Sequence, residues 1–469
     1  MKTRLEKDLI GEKSVPADAY YGVHTVRAME NFPITGTPIS NFPNFIKAFA
    51  QIKKAAALAN KELGTLKPAI ADAISQACDE LIAGKYRDQF PIDIIQGGAG
   101  TSTNMNVNEV LANIALEILG HQKGEYTIVS PNDHVNCSQS TNDTYPSSIK
   151  VAVYHSLEHT ITEMERFIAA LRKKGSEFKD VVKTGRTQLQ DALPVTLGQT
   201  FNNYAHQVEA SISALKADMV AMLGLNMGAT AIGTGLTADP DYKEKVDYYI
   251  KQVIGEEFYV MEDLFVGTQD ASGFVLVSGS LKRFATQLSK ICNDLRLLSS
   301  GPRCGLNEIN LPAKQAGSSI MPGKVNPVIP EAVNQICFQV IGNDVAVAFC
   351  SEGGQLGLNA FEPLIVANIM SSSRMLRHGL ITLRENCVDG ITANVEVCQD
   401  YAEKNISIVT ALNPYIGYKK STEIAKKCFA ENRTVFDVAL EMGVMEEDKL
   451  RQVLDIRKMV DVYSRTGQR

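Results

Sequence analysis

The sequence predicts an all-α protein organised around a central bundle of long helices, and three features carry that prediction. Phe274, Val277, Leu281, Phe284, Leu288, Ile291, Leu295 and Leu298 alternate steps of three and four residues. That is a heptad seam, which asks for a long helix packed nearly parallel to others. Further apolar stripes of helical spacing recur along most of the chain, and segments that alternate like half-buried strands are few and short.

Taken in order, Ile46, Phe49, Ile52, Ala56 and Ala59 mark a first long helix, and Leu157, Ile161, Met164, Ile168 and Leu171 a second. The seam over 274–298 follows and is stopped by Gly301 and Pro302. Val333 to Cys350 and Leu364 to Leu383 continue the series. From about residue 396 the pattern breaks into short helices, and TVFDVALEMGVMEEDKLRQVLD from Thr434 has a helix–glycine–helix form. From Lys419 onward there are eleven basic and nine acidic residues, too balanced for a DNA-facing surface, so a plain α-hairpin is expected. Soft boundaries fall in the hydroxyl-rich stretch 138–148 and near Asp389–Asn394, and the expected division is 1–140, 141–395 and 396–469. Ile336, Val340 and the run from Val345 to Phe349 exceed what one bundle needs. They suit either a larger monomeric core or a face against another copy of the chain, and a symmetric homo-oligomer is the expectation.

Composition excludes several classes. A formal net charge of −6 gives no electrostatic reason to bind nucleic acid, so an anionic ligand must be held by local groups. No uninterrupted apolar run approaches eighteen residues, and no membrane span is expected. The opening MKTRLEKDLIGEKSV is charged and lacks an apolar signal core, which points to the cytoplasm. The nine cysteines are odd in number and form no C-x-x-C pair, so most are read as reduced core residues. The seven histidines show no zinc spacing, and no metal site is evident.

Chemistry is sought where polar residues concentrate without structural need. Four segments qualify: QGGAGTSTNMNVNEV from Gln96, SQSTNDTYP from Ser138, KTGRTQLQDALP from Lys183 and GSSIMPGKVNP from Gly317. The first two run into helical sequence, so Thr101 to Asn104 and Ser140 to Asn142 present hydroxyls and backbone N–H groups where a helix begins. That arrangement holds carboxylates, although for either segment alone simple N-capping is the favoured reading. The third reads as a loop offering Arg186, Thr187 and Gln188. In the fourth, Ser318 and Ser319 lie between Gly317 and Pro322–Gly323, with Lys324 and Asn326 beyond; a lid and a solvated connection fit it equally. No nucleotide loop, Ser-His-Asp order or metal cluster can be assembled. Hydroxyls, amides, a lysine and backbone donors suit charge stabilisation on a small anion.

Together these segments resemble the fumarase/aspartase superfamily of lyases. GSSIMPGKVNPVIPE resembles its hallmark lid, while SQSTNDTYP, GRTQLQDALP and GGAGTSTNMN are similar to its other three active-site regions. EKDLIGEKSVPADAYYGVHTVRAMENFPI and NPYIGY resemble the branch that acts on aspartate, so the likeness is collinear over essentially the whole chain. It implies a three-domain lyase fold, a homotetramer with each site shared by three subunits, and elimination of ammonia from L-aspartate to give fumarate. It further implies Ser318 as the base, and Thr101, Ser140, Thr141 and Ser319 on the β-carboxylate. Thr187, Lys324 and Asn326 fall to the α-carboxylate, and Asn142 to the amino group. No organic cofactor is implied; some members respond to magnesium, but no protein-only site demands it here.

Gln188 departs from the many superfamily members, fumarases among them, that carry His there. Expelling hydroxide needs a general acid, whereas an ammonium group leaves as ammonia already protonated, so losing the imidazole is tolerable for an ammonia-lyase. The same change puts a proton relay through Glu331 in doubt. The rivals are a fumarase and an inactive structural protein on this fold. Cys137, close to Ser140, is read as packed rather than reactive.

Overall fold

The structure, a computed structural model, describes residues 2–461; the last eight residues of the expected C-terminal segment lie outside them. The five predicted long helices are present as α2, α5, α9, α10 and α11 in the series α1 (Val23–Asn31), α2 (Pro43–Glu62), α3 (Pro68–Ile82), α4 (Thr101–Ile118), α5 (Thr141–Glu177), α6 (Leu197–Met219), α7 (Tyr242–Val253), α8 (Leu264–Gln269), α9 (Ser272–Leu298), α10 (Val328–Glu352) and α11 (Glu362–Asn386). The short C-terminal helices are α12 (Val395–Lys404), α13 (Asn413–Glu431), α14 (Val435–Glu441), α15 (Glu447–Val453) and α16 (Ile456–Met459). Strands are confined to short two-stranded pairings, the longest being β1 (Thr3–Asp8) with β2 (Gly11–Pro16) and β3 (Val182–Thr187) with β4 (Gln190–Thr196), both antiparallel. The chain is therefore all-α in class, a long-helix fold with two β-hairpins attached.

The seam of α9 behaves as its spacing requires: all eight of its apolar residues are buried. So are the five named on α2 and, on α5, Leu157, Ile161, Met164 and Leu171, with Ile168 half-buried beside the fully buried Phe167. Pro146 lies inside α5 and has no N–H for the Asn142 carbonyl one turn earlier. Asn226 Nδ2 donates to that carbonyl at 3.0 Å, so the proline costs the helix no unsatisfied group.

Over an eighteen-residue window the mean hydropathy of α10 reaches 1.2, so by length and composition it alone among the described helices is long and apolar enough to cross a membrane. Of the polar residues that interrupt its apolar run, Asn334 and Asp344 are buried and bonded: Asn334 donates to Ser289 Oγ at 2.8 Å, and Asp344 accepts from Ser278 Oγ at 2.8 Å, whereas Gln335 and Gln339 are exposed. Phe338, Val345 and Phe349 on the same helix are more than half exposed.

Backbone contacts divide the chain into two compact units, 1–162 with 211–285 and 338–377, and 163–210 with 286–337 and 378–469. The divisions fall inside α5, α6, α9, α10 and α11, so each of these helices contributes residues to both units. Within the second unit the C-terminal helices bury their own core, including Leu412, Ile424, Val438 and Leu450, and Gly443 (φ 59°) makes the expected break between α14 and α15.

Candidate active site

The predicted site residues fall into two groups, one in each unit: Thr101, Ser140, Thr141 and Asn142 in the first, and Thr187, Gln188, Ser318, Ser319, Lys324 and Asn326 in the second. In the first unit, Gly98, Ala99 and Gly100 all take positive φ immediately before α4. Gly100 is obligatory there, because a Cβ would enter the buried ring of Tyr145. The cap comes from upstream: Gln96 Oε1 accepts the Thr103 N–H at 2.9 Å and the Thr103 hydroxyl at 3.0 Å. Thr101 therefore does not cap α4. It is the exposed first residue of the helix, and its hydroxyl donates to the Gly98 carbonyl at 2.8 Å.

α5 begins with a capping box. Ser140 Oγ accepts the Asn142 N–H at 3.2 Å, and Asp143 Oδ1 reaches back to the Ser140 N–H at 2.9 Å. Asp143 is fully buried, and its other oxygen accepts the Thr230 N–H at 2.9 Å. Burial pushes its carboxyl up to about 7 against those backbone donors. Asn142 Nδ2 donates to the Ala231 carbonyl at 2.8 Å, so the segment after Asn226 braces the start of α5. Thr141 Oγ1 accepts from Asn104 Nδ2 at 3.0 Å. Asn104 also donates to Asn136 Oδ1 at 3.1 Å, an oxygen that Lys53 Nζ reaches at 2.9 Å and Asn108 Nδ2 at 3.2 Å. Burial lowers the Lys53 ammonium to about 7. Sequence reasoning reached Asn104 only as the end of the stretch from Thr101, and passed over Asn136, Lys53 and Asn226. The available signal was three asparagines, Asn104, Asn106 and Asn108, at alternate positions of α4, all buried.

In the second unit the expected third loop is a hairpin, β3–β4. Gln188 (φ 54°) and Leu189 (φ 62°) form its two-residue tip, with Thr187 opposite Gln190. Two left-handed residues are what such a tight turn demands, but Asn and Gly usually supply them, so this tip is held in a costly conformation. It is anchored by Glu308, whose buried carboxylate meets Arg186 Nη1 at 2.6 Å and Lys183 Nζ at 3.0 Å. Arg186 thus serves the scaffold. Thr187, Gln188 and Leu189 are exposed, and Thr187 lines a cavity of about 550 Å³ with Arg186, Leu193 and Tyr204.

The Ser318 segment is a closed turn. Ser318 N–H donates to the Lys324 carbonyl at 2.8 Å, and Gly317 lies so close to that carbonyl that any Cβ would collide with it. Ser318 Oγ accepts two backbone N–H groups, from Met321 at 3.1 Å and Ile320 at 3.3 Å. Ser318 is half-buried, whereas Ser319, Lys324 and Asn326 are exposed, with Ile320, Met321 and Val325. Among the described residues Lys324 has no carboxylate partner. Glu331, on the first turn of α10, reaches Arg296 only at 4.0 Å.

Cys137 is half-buried beside Ser138, and burial raises its thiol. All nine cysteines are free and seven are buried. Among the described residues no group of three or more His, Cys, Asp and Glu side chains is placed to hold a metal ion.

Helix N-termini carrying hydroxyls, and a serine whose oxygen faces two N–H groups, describe a class of sites with donors oriented for an anionic ligand. Comparison identifies it. A family model described as lyase matches residues 11–342, and one described as fumarase C C-terminus matches residues 408–461. The chain belongs to this lyase family. It is 53% identical to the aspartate ammonia-lyase of Helicobacter pylori over 98% of both chains. The crystal structure of fumarate lyase:delta crystallin from Brucella melitensis bound to cobalt matches with a TM-score of 0.95 at 50% identity, covering 98% of this chain and 99% of that one. Recombinant class II fumarase from Schistosoma mansoni matches with a TM-score of 0.93 at 33% identity, covering 98% and 100%.

Proposed function

We propose that this protein is a carbon–nitrogen lyase that removes ammonia from L-aspartate to give fumarate, reversibly. The observation that carries the reading is its 53% identity, over 98% of both chains, with an aspartate ammonia-lyase, against 33% with a fumarase of the same fold.

Ser318 takes the β-proton. Thr101, Ser140, Thr141 and Ser319 hold the β-carboxylate, Thr187, Lys324 and Asn326 hold the α-carboxylate, and Asn142 lies at the amino group. Proton removal leaves an aci-carboxylate carrying close to two negative charges, and its stabilisation is the main demand on the site. Serine is a very poor base in water. The two N–H groups facing Ser318 Oγ support an activated, anionic oxygen, and the unpaired Lys324 ammonium adds to them. Thr101 must swing its hydroxyl from Gly98 towards the substrate. Gln188 offers no general acid, which suits ammonia as the leaving group and not hydroxide.

The assembly in this reading is a homotetramer, each site drawing on three subunits. Its support is the exposed apolar face of Phe338, Val345 and Phe349 on α10. The three-part division 1–140, 141–395 and 396–469 belongs to the same reading. So does cytoplasmic operation, which suits nine free cysteines. No organic cofactor enters, because the chemistry uses only a base and oriented donors.

The test is to mix the protein with L-aspartate and separately with L-malate, following fumarate by its ultraviolet absorbance. Fumarate from aspartate alone is the expected result. Fumarate from malate alone would overturn the reading in favour of a hydratase, and silence from an assembled oligomer in favour of an inactive scaffold.

A further inference from the structure

We infer that Asn104 is a positioning residue that aims the Thr141 hydroxyl hydrogen out of the protein and at the bound carboxylate; this rests on the proposed function. The direction follows from donor and acceptor polarity along a buried chain of side chains. Asn136 is fixed at both ends of its amide. Its nitrogen donates to the Gln139 backbone carbonyl at 3.2 Å, a group that only accepts, which turns its oxygen to Lys53 Nζ at 2.9 Å. The atom of Asn104 lying 3.1 Å from Asn136 Oδ1 must therefore be its nitrogen, because a flipped amide would set two oxygens together with no hydrogen between them. The same nitrogen is 3.0 Å from Thr141 Oγ1, while Asn104 Oδ1 is 3.3 Å from the Thr144 hydroxyl.

Thr141 Oγ1 is thus a hydrogen-bond acceptor on its protein side. A hydroxyl that accepts from behind has its one hydrogen left to donate, and Thr141 is the half-buried first residue of α5, where backbone donors also face an incoming anion. A freely rotating hydroxyl would have to be ordered as the substrate binds. One held from behind by a buried amide is already aimed, and the gain appears where charge grows on the carboxylate during proton removal.

The inference is tested by a double-mutant cycle on the assembled enzyme, reading kcat and KM for L-aspartate. Thr141→Val removes the donor and should lower kcat/KM by about tenfold or more, the usual worth of a hydrogen bond to a charged group. Asn104→Asp supplies a buried acceptor that pulls the Thr141 hydrogen inward, and should lower kcat/KM to a similar extent. The double variant should then be no worse than Thr141→Val, because Asn104 acts through that hydroxyl. Should Asn104→Asp fail to assemble, Asn104→Leu completes the same cycle with a smaller single effect that again vanishes in the Thr141→Val background. Losses that multiply in the double variant would overturn the inference, as would wild-type kcat/KM in Thr141→Val. Wild-type protein inactive on aspartate would instead overturn the functional reading itself.

Discussion

Ser318 Oγ accepts the backbone N–H of Met321 at 3.1 Å, inside a turn closed by the Ser318 N–H on the Lys324 carbonyl at 2.8 Å. One short segment therefore carries a weakly acidic hydroxyl, the donors that would stabilise its anion, and a lysine. The turn depends on glycine at its entrance. Gly317→Ala would drive a methyl group into the Lys324 carbonyl and open the turn. Turnover should fall roughly a hundredfold or more as Ser318 loses its donors, while the thermal midpoint moves little because the segment is exposed. Steady-state kinetics and a melting curve on the same preparation check both halves.

The hairpin tip that presents Thr187 and Gln188 depends on Glu308. Glu308→Gln would leave Lys183 and Arg186 sharing a buried site without a counter-charge, a loss of about 3–5 kcal/mol for broken buried pairs. Denaturant unfolding should show that loss. KM for aspartate should rise, since Thr187 is assigned to the α-carboxylate.

Gly100→Ala tests the start of α4. The residue holds φ at 88°, and its missing Cβ leaves room for the Tyr145 ring. Strain and overpacking together should cost about 2–4 kcal/mol. Activity per folded molecule should fall as well, because Thr101 is the next residue. A variant with wild-type melting and kinetics would contradict that account of the turn.

Glu362, at the first residue of α11, gives a prediction in pH. It is fully buried, its Oε2 has no hydrogen-bond partner among the described residues, and burial pushes its carboxyl from 4.5 up to about 8 despite the nearby Lys150. Between those two values the folded chain holds a proton that the unfolded chain releases, so this group makes stability fall as pH rises. Glu362→Gln removes that dependence. The variant's melting temperature should exceed the wild type's by a margin that widens from about pH 5 to about pH 8; a constant or narrowing margin would show that Glu362 is ionised in the fold.

The long helices were legible because burial on one face imposes a period, and Phe274 to Leu298 display that period without interruption. Thr101 and Thr141 were legible as helix starts, and Ser318 stood out between a glycine and a Pro-Gly pair. The hairpin after Lys183 was not legible. Its buried strand carries Lys183 and Arg186 where apolar residues would be expected, and what makes them tolerable is Glu308, 122 residues from Arg186. The bracing of α5 by Asn226 and Thr230, and the convergence of Lys53, Asn104 and Asn108 on Asn136, likewise join segments far apart in the chain. Pairings of this kind leave no periodic trace.

The central claim is that Ser318 removes the β-proton, and Ser318→Ala tests it most directly. The measurement compares turnover of L-aspartate with the affinity for fumarate in the variant and the wild type. Turnover should fall roughly 10²–10⁴-fold, the usual worth of a positioned base, with fumarate affinity close to that of the wild type. Turnover near the wild-type value would contradict the claim, and a loss of turnover matched by an equal loss of affinity would make Ser318 a binding residue and not the base.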